Sequence, residues 1–224
     1  MNTAMVQRLV YKDWYFNRWP IVLYVALGLL SLGLVSQGGE LAFFAGSVAL
    51  ITVLISIGIH LTMVTVIHER RDHTLAFVMS LPISAREYTL AKLLANLLIF
   101  GLAWGTLAVG AVAVIAGRAS LPDGLIPFTL TVLGELFAGY CLVLSVAVVS
   151  ESLGFTIAAI VVGNLLVQAL MYWESHLPTV AADLQGDALH WRPQLLAVLG
   201  AEAAAVVLLL GLTFYFQSRK TDYL

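Results

Sequence analysis

HERRDHTLAFVMSLPISAREYTLAK, residues 68–92, is the stretch on which the fold turns. It is the densest cluster of charge in the chain, and long apolar runs flank it on both sides. Charge between two runs long enough to cross a bilayer belongs in water, so the stretch reads as a polar island between membrane spans. Inside it Thr74, Leu75, Val78 and Met79 recur at helical spacing, which predicts a short amphipathic helix. Leu81-Pro82-Ile83-Ser84 stops that helix, because proline disfavours the helical conformation in the residue before it. Ser84 followed by Glu87 is the capping-box pattern that starts a new helix. The island is either a solvated connector that helps to set topology or a docking platform built from a helix, a stop and a capped restart.

Composition extends this reading to the whole chain. Of 224 residues 61% are hydrophobic and 11% charged, with mean hydropathy +0.96. A soluble domain is roughly half apolar and a quarter charged. The fold class expected is therefore an all-α integral membrane protein, a single domain over 1–224. Outward from the island the apolar runs give six transmembrane helices, at 20–36, 41–67, 91–116, 125–149, 153–172 and 194–216. Residues 3–19 combine Val6, Leu9, Val10 and Phe16 with Arg8, Lys12 and Arg18, and carry Tyr11, Trp14, Tyr15 and Trp19. That mixture predicts an interfacial helix at headgroup level. It suits a secretory leader less well, since no small-x-small cleavage site follows. Residues 173–193 form the longest loop beyond the island, mixing Glu174, Asp183 and Asp187 with Leu177, Val180, Leu184 and Leu189. They read as an outer re-entrant or gate segment, or as a connector.

Six spans put both termini on the island's side. Arg8, Lys12, Arg18, Arg70, Arg71, Arg86, Lys92, Arg219 and Lys220 fall on that side, and only Arg118 and Arg192 on the other. This bias predicts cytoplasmic termini and a cytoplasmic island. The formal net charge of -2 leaves no basic footprint for nucleic acid. The single cysteine, Cys141, excludes a disulfide framework and a thiolate metal cluster.

Motifs for catalysis are absent. No G-x-x-x-x-G-K-[ST] phosphate loop occurs, so nucleotide would be held elsewhere. His68-Glu69 begins like a zinc-protease helix, but the second histidine would have to be at position 72, which is Asp72. No nucleophile-elbow G-x-S-x-G is present. The chain is expected not to be an enzyme, with no catalytic residues, no metal and no cofactor of its own. His176, Asp183 and His190 match no metal-ligand spacing. Glu135 and Glu202 lie within spans, each about three turns or less from the outer end. A carboxylate in hydrocarbon is costly unless paired, protonated or wet. They are candidates for a substrate path, or else structural glutamates hydrogen-bonded between helices. His60 is a third, weaker candidate. Asn96, Asn164 and Gln168 read as interhelical hydrogen-bond formers. Gly101 with Gly105, Gly134 with Ala138, and Ala159 with Gly163 read as close packing within the bundle or as a dimer seam.

At the island, Glu69-Arg70, Thr74-Leu75, Leu81-Pro82-Ile83-Ser84, Glu87-Tyr88 and Lys92 resemble the signature of type-2 ABC transporter permeases, the membrane subunits of one class of ATP-binding cassette exporters. The resemblance implies a permease that pairs with a second copy or a close homologue. It also implies two copies of a separate ABC ATPase subunit, which would hold ATP and Mg. Glu69, Arg70, Arg71, Thr74, Leu75, Val78, Met79, Pro82 and Glu87 would form the coupling element, with the short cytoplasmic coupling helix over about 70–80. The setting implied is the inner membrane of a bacterium. Two other readings remain: a non-translocating subunit that transmits ATPase motion to an extracytoplasmic partner, and a membrane-embedded lipid-modifying enzyme using Glu135, Glu202 or His60.

Overall fold

A backbone in hydrocarbon must satisfy its own N–H and C=O groups, and a helix does this within one segment. The apolar runs of this chain accordingly fold as helices throughout the computed structural model, which describes residues 3–71 and 84–219. In order they are α1 (Thr3–Val35), α2 (Glu40–Thr62), a π-helical turn (Met63–Ile67) that leads into α3 (His68–Arg71), α4 (Ala85–Ala116), α5 (Leu125–Ser150), α6 (Leu153–Ser175), α7 (Pro178–Asp183) and α8 (Pro193–Ser218). Six of these, α1, α2 with its π turn, α4, α5, α6 and α8, are long and apolar enough to cross a membrane. The chain is an all-α, multi-pass membrane protein. Thr74, Leu75, Val78, Met79 and Pro82 of the expected coupling element lie outside the described residues.

The first helix corrects the expected division at residue 20. Thr3–Val35 is one element with Pro20 inside it. A proline in a helix interior costs about 3 kcal/mol, yet no break follows. The reason is the buried stripe Val6, Leu9, Asp13, Asn17, Ile21, Gly28, Ser31, Leu32 and Val35, which keeps helical phase across the proline. Packing of that stripe on α2 and α4 holds the helix together. At 1.5 Å per residue α1 is about 50 Å long and α4 about 48 Å, against a hydrocarbon core of about 30 Å. Both therefore overhang the bilayer.

At the island end of the bundle Ser84 caps α4. Its hydroxyl accepts from the Glu87 backbone N–H at 3.3 Å, and the Glu87 carboxylate accepts from the Ser84 N–H at 3.0 Å. This is the reciprocal pair that the sequence pattern specifies.

Between the ends, α1 packs on α2 and α4, and α5 packs on α2 and α4. Leu54, Ile57, Leu61, Phe100, Leu107 and Leu144 fill the shared core. α6 and α8 each lie along α5 and scarcely meet each other. Helices in lipid gain little from hydrophobic burial against one another, so close contact depends on small residues. At Gly46 a Cβ would stand 2.7 Å from the Ser31 carbonyl oxygen and 2.8 Å from the Val35 nitrogen of α1. Gly101 and Gly105 behave differently: among the described residues nothing lies within 4 Å of where their Cβ atoms would be, so no described helix packs on them. At the far end the Gly124 N–H donates to the Gly186 carbonyl at 3.0 Å. Arg192 forks onto Asp183 there at 2.6 and 2.8 Å.

Candidate functional site

Three helices meet at the root of the island. α1 brings Lys12 and Asp13, α3 brings Glu69, and the first turns of α4 bring Tyr88 and Lys92. Lys92 Nζ lies 2.9 Å from Asp13 Oδ2 and 2.6 Å from Glu69 Oε2. Lys12 Nζ lies 2.5 Å from Glu69 Oε1 and 3.3 Å from Asp13 Oδ1. The Tyr88 hydroxyl donates to Glu69 Oε2 at 3.0 Å. Two cations thus each bridge two anions, and the four charges sum to zero. Burial by itself would raise the Glu69 carboxyl, but Lys92 and Lys12 outweigh it and hold Glu69 below its ordinary value. Asp13, Glu69 and Lys92 are buried. Charges this dry are stable only in company, since removing one partner strands another. Glu69, expected in the coupling element, faces inward and anchors the island to α1 and α4. Glu87, expected beside it, caps α4.

A polar ladder descends from this quartet. The Asn96 side-chain amide donates to the Lys92 carbonyl at 2.9 Å and to Thr65 Oγ1 at 2.9 Å. The Tyr140 hydroxyl donates to Asn96 Oδ1 at 3.2 Å, and Phe100 stacks on the Tyr140 ring with centroids 3.9 Å apart. Thr65 sits in the π turn, a local irregularity found often at functional sites. Asn96 is therefore the interhelical bridge its sequence position suggests. Asn164 and Gln168 are not: Asn164 donates to Ile160 of its own helix, and Gln168 is exposed.

The expected path residues lie toward the far end. Because α6 and α8 flank α5 without closing on each other, a cleft of about 350 Å³ opens between them. Its walls include Leu142, Leu166, Leu170, Val198 and Leu209, with Glu135 and Glu202 among them. The Glu202 carboxylate lies over Gly134, where a Cβ would collide with it. Glu135 is 2% exposed and Glu174, near the end of α6, is fully buried. The three carboxyl groups are close enough to interact electrostatically. None of their six oxygens has a hydrogen-bond partner among the described residues. The structure thus brings Glu135 and Glu202 together and adds Glu174, which belongs to α6 and not to the loop expected over 173–193. His60 is not part of this group: it packs on Tyr24 of α1, with ring centroids 5.7 Å apart.

No group of histidine, cysteine, aspartate and glutamate is spaced to hold a metal ion among the described residues. Asp183 is held by Arg192, whose hydrogen bonds lower its carboxyl below the usual range. His176 contacts its own helix through the Tyr172 carbonyl at 2.8 Å, and His190 Nδ1 lies 3.5 Å from Asp183 Oδ1. Two carboxyls in an apolar wall, Glu135 and Glu202, with Glu174 within electrostatic range and none of the three hydrogen-bonded among the described residues, can take up protons or a cation. Comparison of the chain with protein-family models, curated proteins and solved structures gave no match.

Proposed function

We propose that this chain is the membrane subunit of an ATP-driven exporter of the type-2 ABC class. In this reading the island and both termini face the cytoplasm at a bacterial inner membrane. A separate ATPase subunit, holding ATP and Mg, docks at residues 68–92, and a second copy or close homologue completes the transporter.

The observation that carries the proposal is the charge quartet at the island's root. A docking element can transmit force only if it is tied stiffly to the helices that must move. Here Glu69 ties the start of the island to α1 through Lys12 and to α4 through Lys92. The resemblance at the island and the positive-inside bias point the same way. ATP would close the partner dimer, and the rigid joint would carry that motion into α1, α2 and α4. The bundle would then tip between two packings about the α5 core, opening or closing the cleft that holds Glu135 and Glu202.

The test is purification of the tagged chain from its native membrane, identification of an associated ATPase, and reconstitution of both in vesicles. Arg70→Glu with Arg71→Glu, or Leu75→Pro alone, is expected to abolish stimulation of ATP hydrolysis by the chain while membrane insertion persists. Unchanged stimulation, or the lack of any associated ATPase, refutes the proposal.

A further inference from the structure

We infer that the cleft between α6 and α8 binds a cationic amphiphile, its ammonium head between Glu135 and Glu202 and its apolar tail along the groove. This deepens the exporter reading by naming a substrate class, and it rests on that reading for its role in transport.

Two independent observations carry it. The first is the wall: among the described residues that line the cleft only Glu135 and Glu202 are ionisable, and the others are almost all apolar. A binding site with an apolar wall and a few convergent polar groups is the ordinary form for a small-molecule ligand. The second is the state of the acids. Glu135 is nine-tenths buried, lines the cleft, and has neither oxygen in a hydrogen bond among the described residues. A carboxyl in hydrocarbon is stable when it is protonated, paired or beside a positive charge, and Glu135 and Glu202 both border the cleft. Glu174 adds a third carboxyl group within electrostatic range.

The arrangement also selects the kind of cation. The carboxyls are not spaced as metal ligands, which argues for a bulkier organic head. Leu209 lies seven positions beyond Glu202 on α8, about 10 Å of helix. That length of apolar wall runs from the level of the acids toward the middle of the bundle and suits an alkyl or aryl tail. The groove lies between two helices that scarcely meet, so a ligand can enter from the side, from within the bilayer.

Dodecylamine is the probe, with dodecanol as its uncharged counterpart, and binding is read by native mass spectrometry of the chain released from a neutral detergent. One dodecylamine adduct per chain is expected, with little dodecanol bound. Glu135→Gln with Glu202→Gln should weaken dodecylamine binding by roughly tenfold to a hundredfold, the loss expected for a charged contact. Ala205→Phe, which fills the groove and leaves both carboxyl groups in the chain, should also block it. A thermal midpoint no lower than that of the native chain shows that each variant is folded. Equal binding of dodecanol, undiminished binding by the glutamine variant, or no adduct at all overturns the inference. The assay needs no ATPase, so the two readings fail separately. An adduct without an associated ATPase leaves this site standing and removes the exporter, whereas an ATPase without an adduct does the reverse.

Discussion

Lys92→Met is the sharpest test of the quartet. Methionine keeps the length and apolar stem of lysine and deletes the charge. Lys92 is 3% exposed and is the closest cation to Asp13, at 2.9 Å. Without it the quartet falls from neutral to one net negative charge. Lys12, whose side chain is 34% exposed, becomes the sole counter-charge within the quartet for two buried acids. Removing one partner of a buried ion pair costs about 3–5 kcal/mol. A chain of this size loses about 2–4 °C of thermal midpoint per kcal/mol, so the expected fall is roughly 6–20 °C. The assay is built into the molecule. Cys141 is the only cysteine and is fully buried, so a thiol-reactive fluorophore reports its exposure on heating. Adding Asp13→Asn to Lys92→Met restores neutrality. The double variant should then be more stable than the sum of the single effects, with a coupling of about 0.5–3 kcal/mol. A fall of less than about 2 °C for Lys92→Met, below one kcal/mol on the same scale, refutes the reasoning. Strict additivity in the double variant refutes it as well.

Other outcomes follow from single contacts. Glu69 binds its proton less tightly in the folded chain than in the unfolded one, so its stabilisation is complete above its ordinary value of 4.5 and is lost as pH falls through the lower folded value. The thermal midpoint should drop on acidification below that value, and Glu69→Gln, less stable at neutral pH, should drop less steeply. Ser84→Ala removes one half of the capping box and should destabilise the start of α4 by about 0.5–2 kcal/mol, seen as faster amide exchange over the first turn of α4. Gly46→Val pushes a side chain into the backbone of α1 and should cost about 1–3 kcal/mol or more, read by the same thiol assay. Asn96→Ala strands the Tyr140 hydroxyl and should cost about 1–3 kcal/mol, with Tyr140→Phe added to it recovering part of the loss.

What was legible in the sequence was whatever depends on local pattern. Hydropathy and length give the six crossings, because lipid leaves a backbone few alternatives to a helix. Ser84 and Glu87 announce their own cap. What was illegible depends on the company a residue keeps. The rule that proline ends helices is local, whereas the stripe from Val6 to Val35 that carries α1 through Pro20 is tertiary. Lys12 and Lys92 read as topological charges at the membrane surface, but they are partners of Asp13 and Glu69. A signal for this exists: Asp13 and Asn17 continue the apolar phase of Val6, Leu9 and Ile21, so two polar residues occupy a buried face. Glu174 was hidden by its neighbour Trp173, an aromatic that looks like the edge of the membrane. Counting on from Gly163 and Val167 at helical spacing places Glu174 on their buried face. Gly101 and Gly105 show the converse, since their spacing is that of a helix contact and no helix among the described residues meets them.

Gly134 has a consequence for heredity. The Glu202 carboxylate occupies the room that a side chain at this position would take. Glycine and alanine codons differ by a single base. A point mutation can therefore move one acid of the cleft by the width of a methyl group, and it does so without breaking a hydrogen bond, because among the described residues that acid makes none. Descendants of this protein can explore neighbouring shapes of the cleft in steps of one nucleotide, while the ion quartet at the other end of the bundle stays untouched.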